Sequence, residues 1–178
     1  NHTEERRMLA DSLRRTLERG ASWSDLAELG VLGALFTEDE GGFGGDGYDI
    51  AVVFEELGRA GCTLPVLEAG LAGGLLADCG KSDLVEQVIG GELRVALAHA
   101  EPGLRYDIGP ITTTANNGTI SGRKSVVSAV DEADLLIVSA PDGSIVSVNR
   151  ATCAVLGYSE NHILSHKVQN LVQLLDSG

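Results

Sequence analysis

Residues 93–140 read LRVALAHAEPGLRYDIGPITTTANNGTISGRKSVVSAVDEADLLIVSA, and this is the part of the chain whose pattern demands a β-sheet. Near Leu93 the spacing of apolar residues changes from helical to alternating, and segments rich in β-branched residues follow. Such segments, bounded by turn residues, are typical of β-strands. The pattern predicts strands near 94–99, 111–115, 119–130 and 135–148. It also predicts a hairpin closed by Asn116–Gly118, because asparagine and glycine tolerate positive φ.

The residues before this stretch have a helical pattern. Predicted helices lie at 4–19, from Ser22 to Leu29, around Ile50–Leu57, from Pro65 to near Gly80 and from Ser82 to Gly90. Ser22 and Asp25 have the spacing of a capping box. The clearest helical period ends with Phe54 and Leu57, which we expect at the centre of a helical domain.

Composition limits the classes of protein to which the chain can belong. It has 178 residues, 43% of them hydrophobic, which fits one domain or two small ones in a soluble globular protein. No apolar run approaches the roughly 20 residues that span a bilayer, so a membrane protein is not predicted. The net charge of −13 argues against nucleic acid or an anionic membrane as a partner, since both attract positively charged surfaces.

The cysteines indicate the cellular compartment, and the first residue indicates whether the sequence is a fragment. Cys62, Cys79 and Cys153 are widely spaced and odd in number. They indicate a reducing compartment, here the cytoplasm, and they form neither a disulfide framework nor a metal site. The chain starts at Asn1 rather than at methionine, so a leader has been removed or the sequence is a fragment, and we favour the fragment.

One glycine-rich segment, Gly42–Gly47, spells G-x-G-x-x-G ahead of a predicted helix. A dinucleotide-binding loop of this form needs a strand directly before its first glycine. Here Glu38, Asp39 and Glu40 precede it, and their carboxylates would repel a pyrophosphate. We therefore interpret the segment as a loop between helices, whose glycines accept positive φ.

Six segments, in order along the chain, carry a resemblance to a known family. They are Trp23–Leu29, Leu32–Gly44, Phe54–Arg59, Glu101–Asp107, Ile120–Ser128 and Ala133–Asp134 before the LLIVSA strand. The first three resemble the N-terminal helical domain of acyl-CoA dehydrogenases. The later ones are similar to the T-E-P-G-x-G-S-D and G-x-K-x-W-I-T motifs of the same family. The resemblance covers about residues 8–140.

The resemblance implies a flavoprotein that desaturates an acyl-CoA thioester at its α and β carbons, with FAD against a middle β-domain. Together with the residue pattern, it predicts an α+β fold with an all-helical N-terminal domain and an incomplete antiparallel β-domain, followed by a short αβ tail that the resemblance does not cover. These correspond to residues 1–92, 93–140 and 141–178. The flavin-lining positions carried over from the family are Leu97, His99, Ala100, Tyr106, Val126 and Ser128.

Several of these positions depart from the family pattern. Ala100 replaces a threonine hydroxyl, and Val126 replaces a flavin-facing tryptophan. Arg105 and Tyr106 are bulkier than the small residues usual there. Ser128 keeps a hydroxyl, so we expect one hydrogen bond to the flavin to survive. These losses resemble small-subunit members of the family, which work beside a more complete partner chain.

No residue is assigned as a catalytic base. The family's glutamate base belongs to a C-terminal helical domain that the resemblance does not reach. Glu101 lies in a flavin-side motif, and Glu55–Glu56 are interpreted as the solvated face of a helix. Because a base must reach the substrate carbon acid, we expect this chain to be inactive alone. His99 is interpreted as a packed strand residue rather than a base.

The last segment, residues 141–178, resembles the first third of a PAS domain, a signal-sensing module. The similarity rests on DGSIVSVN at 142–149, on a short helix closed by Gly157 and on a final apolar segment. Residues 135–148 are expected to form a hairpin under either resemblance. His162 and His166 stand four residues apart, but without a third ligand a solvated helix face is preferred to a metal site.

The leading functional interpretation is a fragment or subunit of an acyl-CoA dehydrogenase that retains FAD weakly or not at all. Its partners would be an acyl-CoA substrate or a complete dehydrogenase subunit, in an oligomer. One alternative is a signalling or interaction protein that joins a degenerate dehydrogenase-like domain to a PAS segment. Another is a structural subunit that folds on a complete dehydrogenase chain.

Overall fold

The computed structural model describes residues 2–43, 47–104, 111–116, 119–140, 145–149, 168–169 and 172–175. It divides the chain into two compact units. The helical unit comprises residues 1–77 and 81–92, and the β unit comprises residues 78–80 and 93–178. Among the described residues, no helix is long and apolar enough to cross a membrane.

The described part of the helical unit contains five α-helices and no strand. They are α1 (His2–Glu18), α2 (Trp23–Glu28), α3 (Gly47–Arg59), α4 (Val66–Asp78) and α5 (Ser82–Ile89), with a 3₁₀ turn at Gly33–Leu35. The predicted capping box is confirmed: the Ser22 hydroxyl accepts from the Asp25 backbone N–H, and the Asp25 carboxylate accepts from the Ser22 N–H. Helix α5 departs from its prediction, because Lys81 rather than Ser82 occupies the N-cap.

The core of the helical unit forms around Phe36, which is 2% exposed. Helix α4 approaches the Phe36 ring so closely that a Cβ on Gly73 would lie 2.5 Å from Phe36 Cζ. The expectation that Phe54 is central is wrong, because Phe54 is only half-buried. Val53 and Leu57, four residues apart on α3, face the core instead, and this places Phe54 at the margin of the apolar stripe.

The segment that leads into Gly42 is a turn and not a strand, so the predicted loop is confirmed at Gly42 and Phe43, whereas Gly47 already belongs to α3. The Gly42 N–H donates to the Thr37 carbonyl at 2.8 Å, and the Phe43 N–H donates to the Gly33 carbonyl at 3.0 Å. A Cβ on Gly42 would lie 2.2 Å from the Phe36 carbonyl oxygen, so this position requires glycine. Gly44–Asp46 lie outside the described residues.

The β unit has two sheets among its described residues. The strands are β1 (Val95–Ala98), β2 (Thr114–Asn116), β3 (Thr119–Ser121), β4 (Leu135–Ser139), β5 (Ile145–Asn149), β6 (Val168–Gln169) and β7 (Val172–Leu175). One sheet has the order β1-β4-β5-β7 and the other the order β2-β3-β6. Two predicted antiparallel pairings are confirmed. Strand β2 pairs antiparallel with β3 across Asn116–Thr119, and β4 pairs antiparallel with β5 across residues 140–144.

The prediction of an antiparallel β-domain is wrong for its first strand. Strands β1 and β4 pair in parallel, with Val95 opposite Leu135 and Ala98 opposite Val138. Parallel pairing needs a long crossover, and the segment between the two strands, which contains the β2–β3 hairpin, provides it. The predicted strand at 119–130 is also too long, because β3 ends at Ser121 and residues 128–132 form turns.

The core of the β unit lies on one face of β1 and β4. Its buried members are Ala96, Ala98, Ile120, Ala133, Leu136 and Val138, with Val127 and Val130 packed against them. The opposite face of the same two strands is also largely buried, since Val95 and Ile137 are 3% and 0% exposed. Strands buried on both faces are typical of parallel pairs.

Candidate functional site

The first group of predicted flavin residues lies on β1 and directly after it. Leu97 is half-buried on β1, opposite Ile137 of β4. His99 and Ala100 follow the strand and are also half-buried, so the expectation of a packed strand residue is wrong for His99 because β1 ends at Ala98. Tyr106 lies outside the described residues.

The second group lies in the irregular segment after β3. Val126 is 95% exposed and Ser128 is also exposed, whereas Val127 between them packs against the β core. Val126 has a φ of 53° and Ala129 has a φ of 56°, which L-residues adopt only at some cost in energy. The packing of Val127 and the strained backbone thus hold Val126 outward.

Lys124 connects the two groups from inside the protein. Its side chain is 2% exposed, and Nζ donates to the His99 carbonyl at 3.1 Å, to Glu101 Oε1 at 3.0 Å and to Ser139 Oγ at 3.2 Å. Next to it, the Ser125 N–H donates to the Ala100 carbonyl at 2.8 Å. The segments at 99–101 and 124–125 are therefore fixed against each other.

Glu101 is the buried counterion of Lys124, with its side chain 3% exposed. Thr112 donates from its N–H and its hydroxyl to Oε2, at 2.8 and 2.5 Å, and Thr113 donates in the same way to Oε1, at 2.9 and 2.6 Å. Burial by itself raises the pKa of Glu101, but the hydrogen bonds from Thr112 and Thr113 outweigh it and hold that pKa far below its ordinary value. Glu101 is therefore a carboxylate.

The polar chain ends at a histidine ring. His99 Nδ1 lies 3.0 Å from Ser139 Oγ, the same oxygen that accepts from Lys124. We call His99, Glu101, Thr112, Thr113, Lys124 and Ser139 the Lys124 network. The sequence interpretation missed it, although a signal exists: Glu101, both threonines and Lys124 interrupt segments that are otherwise apolar or turn-like.

Some groups that make no hydrogen bond in this network have the kinds of chemistry that a flavin ring uses. Within the described residues, the exposed Ser128 hydroxyl and His99 Nε2 make no hydrogen bond, and Val126 offers exposed apolar surface. A flavin ring has a polar edge and an apolar face, so it can use such groups. Both oxygens of Glu101 already accept hydrogen bonds, which leaves that residue no role in binding the cofactor.

The glutamates on α3 have different surroundings. Glu55 is exposed beside Arg59, as expected, but the prediction of a solvated face is wrong for Glu56, which is 4% exposed. Arg14 of α1 donates from Nε to Glu56 Oε2 at 2.9 Å and from Nη2 to Oε1 at 2.7 Å. These hydrogen bonds from Arg14 lower the pKa of Glu56. A carboxylate clamped by arginine is a structural link between α1 and α3, not a base.

The described residues contain no group of histidine, cysteine, aspartate and glutamate side chains that could hold a metal ion. Cys62 and Cys79 are free thiols. His162 and His166 lie outside the described residues, so the preference for a solvated helix face over a metal site there stays a prediction.

With this geometry established, comparison with known proteins identifies the helical unit. Residues 4–91 match the model of the family described as acyl-CoA dehydrogenase, N-terminal domain. Residues 4–91 are an acyl-CoA dehydrogenase N-terminal domain. The resemblance inferred from the six sequence segments is thereby confirmed for this part of the chain.

Three known proteins show how far the likeness extends. Acyl-CoA dehydrogenase FadE12 of Mycobacterium tuberculosis is 30% identical in an alignment of length 138 that covers 72% of this chain and 36% of FadE12. A variant of the Tcur3481-Tcur3483 steroid ACAD is 26% identical with a TM-score of 0.72, over 84% of this chain and 49% of that one. A glutaryl-CoA dehydrogenase of Mycobacterium smegmatis in complex with FADH2 is 15% identical and shares the fold, with a TM-score of 0.70 over 82% of this chain and 45% of that one.

The likeness therefore continues beyond the N-terminal domain into the β unit. It also covers only part of the known proteins: the chain spans 36% of the length of FadE12 and 49% of the length of the steroid ACAD chain.

Proposed function

We propose that this chain supplies the N-terminal half of an FAD-dependent acyl-CoA dehydrogenase. The observation that carries the proposal is the fold likeness to the steroid ACAD, which covers 84% of the chain and so includes strands of the β unit. The FADH2 in the glutaryl-CoA dehydrogenase, whose fold is shared, supports FAD as the cofactor.

In this proposal residues 1–92 are the helical domain and residues 93–140 are the first part of the middle β-domain. The residues that line the flavin are Leu97, His99, Ala100, Tyr106, Val126 and Ser128. Bound FAD would accept a hydride from the β carbon of an acyl-CoA thioester. The residues of this chain orient the cofactor: Ser128 donates a hydrogen bond, Val126 packs on the ring, and the Lys124 network fixes the segments that carry them.

The same proposal makes the chain dependent on a second one. No residue is assigned as the base that removes the α proton. Among the described residues, the buried glutamates Glu56 and Glu101 are engaged in ion pairs. We therefore propose that a complete dehydrogenase subunit completes the site in a cytoplasmic oligomer. The name of the steroid ACAD joins two components, Tcur3481 and Tcur3483, which supports an assembly of this kind.

Co-purification of flavin tests the proposal. The chain is expressed alone and together with FadE12 as the full-length probe subunit, and bound flavin is measured by absorbance. We expect flavin to be retained in the mixed complex and to decrease with Ser128→Ala. Ser82→Ala, at an exposed serine of the helical unit, is the matched control and should retain flavin. Absence of flavin from both preparations would contradict the proposal.

The PAS-like interpretation of residues 141–178 stays a prediction, because most of the segment lies outside the described residues. Strand β5 pairs antiparallel with β4 from Leu135–Asn149 to Ser139–Ile145, so residues 145–149 extend the sheet of the β unit. A hairpin here is expected under either resemblance, so this pairing does not decide between the dehydrogenase and PAS interpretations of β5. A colourless protein that dimerises through residues 141–178 would instead favour the signalling alternative.

A further inference from the structure

The hydrogen bonds of Lys124 determine what the Ser139 hydroxyl can do. An ammonium group has three N–H donors and no lone pair. Its three acceptors here are the His99 carbonyl, Glu101 Oε1 and Ser139 Oγ. Ser139 Oγ is therefore an acceptor toward Lys124.

The ammonium state of Lys124 follows from its surroundings. Glu101 is held as a carboxylate by four donors from Thr112 and Thr113, at 2.5 to 2.9 Å. A buried carboxylate 3.0 Å from Nζ stabilises the charged form of the lysine. The direction of the hydrogen bond from Lys124 to Ser139 is thus fixed by charge.

The Ser139 hydroxyl still has one hydrogen to donate. Within the described residues, the remaining acceptor in range is His99 Nδ1, at 3.0 Å. If Nδ1 carried a proton instead, Ser139 Oγ would face donors from both Lys124 and His99, and its own hydrogen would lose this acceptor. The arrangement in which the Ser139 hydroxyl accepts from Lys124 and donates to His99 is the stronger one, because successive hydrogen bonds polarise one another.

We propose that Lys124, acting through the Ser139 hydroxyl, fixes neutral His99 as the Nε2–H tautomer, so that the ring presents a hydrogen-bond donor to a ligand beside β1. Nε2 makes no hydrogen bond within the described residues. It would select a carbonyl oxygen or an unprotonated ring nitrogen. Only the identity of that ligand as FAD rests on the proposed function. Lys124 and Ser139 are positioning residues, since they act through His99.

Nitrogen NMR of the histidine rings in the full chain tests the tautomer directly. The chain has four histidines, and His99→Gln identifies the signals of His99 by their loss. The spectra are taken at a pH where a titration shows the ring to be neutral. We expect Nδ1 to have the shift of an unprotonated nitrogen and Nε2 that of a protonated one, in the wild type and in Ser139→Thr.

Ser139→Ala removes the link, and we expect the two His99 nitrogen shifts to move toward the averaged values of a histidine peptide. A protonated Nδ1 in the wild type would overturn the proposal, whether or not the variants fold. Unchanged ring shifts in folded Ser139→Ala would overturn it as well. Adding FAD to the same samples tests the proposed function separately, because failure to bind flavin leaves the tautomer result unaffected.

Discussion

A carboxylate and an ammonium group share the interior of the β unit. Glu101 and Lys124 are 3% and 2% exposed, and each is surrounded by hydrogen-bonding partners that satisfy it. A buried pair adds little stability compared with apolar residues, but removing one partner leaves an uncompensated charge. The effect of a substitution at Glu101 therefore measures how strongly the network holds the segments around β1.

Glu101→Gln should destabilise the β unit by about 3 kcal/mol, because it leaves the buried Lys124 ammonium without a counterion. The measurement is amide hydrogen exchange of β1 and β4, which reports on this unit. Glu132→Gln is the control, since Glu132 forms an exposed pair with Arg94 and should contribute less than about 1 kcal/mol. Equal effects of the two substitutions would show that the network carries no special stability.

The lowered pKa of Glu101 also makes stability depend on pH. Its pKa is lower in the folded chain than its ordinary value of 4.5, so the unfolded chain binds the proton more readily. The stabilisation is complete above about pH 4.5 and is lost as the pH falls toward the folded-state pKa. The free energy of urea unfolding, followed at β1, should decrease less between pH 5 and pH 2 in Glu101→Gln than in the wild type. Parallel pH profiles for the two proteins would refute this assignment.

At the scale of single residues, the sequence predicted contacts within one helical turn better than contacts between residues that are distant in sequence. The Ser22–Asp25 capping box was predictable because both partners lie within one turn. Glu56 and Arg14 lie 42 positions apart, and Glu101 and Lys124 lie 23 apart, so only the folded chain brings them together. Tyr106 is outside the described residues, and the roles of the other five predicted flavin positions stay a proposal.

Helix α4 packs through a glycine. A Cβ at Gly73 would lie 2.5 Å from Phe36 Cζ, whereas one at the adjacent Gly74 would meet no atom within 4 Å. Alanine is preferred to glycine in a helix by about 1 kcal/mol. Alanine substitutions at these two positions therefore distinguish the effect of helix propensity from the effect of packing.

Gly73→Ala should lower the free energy of unfolding of the helical unit by about 1–3 kcal/mol, because the gain in propensity is smaller than the cost of displacing Phe36. Gly74→Ala should raise it by about 0.5–1 kcal/mol. Urea unfolding followed by the fluorescence of Trp23, which lies in this unit and is 5% exposed, measures both. Stabilisation by Gly73→Ala would contradict the close packing of α4 on Phe36.

At the scale of elements, the sequence predicted the five helices and the strands up to β5, but it missed the strands β6 and β7 and the direction of one strand pair. Apolar spacing predicted α1 to α5 because each helix buries one stripe. Alternation along β1 and β4 indicates which residues share a face but not whether the strands run parallel, so the parallel pair was missed. Beyond Ser121 the β-branched residues continue, but tertiary packing of Val127 overrides their strand propensity.

At the scale of the whole molecule, the two units have different roles in the proposed function. The helical unit is identified as a family domain, and the β unit carries the groups proposed to meet the flavin. The chain spans 49% of the length of the steroid ACAD chain, and the proposal expects this part to hold flavin weakly by itself. One neutral hydrogen bond from Ser128 contributes about 0.5–1.5 kcal/mol, far less than stable retention of a cofactor requires.

The central claim, that this chain is half of a flavin site, is tested most directly by titrating the purified chain with FAD and following quenching of flavin fluorescence. The account predicts weak binding by the isolated chain, without a stoichiometric end point, and further weakening by Ser128→Ala. Stoichiometric binding of FAD by the isolated chain, with an affinity that Ser128→Ala leaves unchanged, would contradict it.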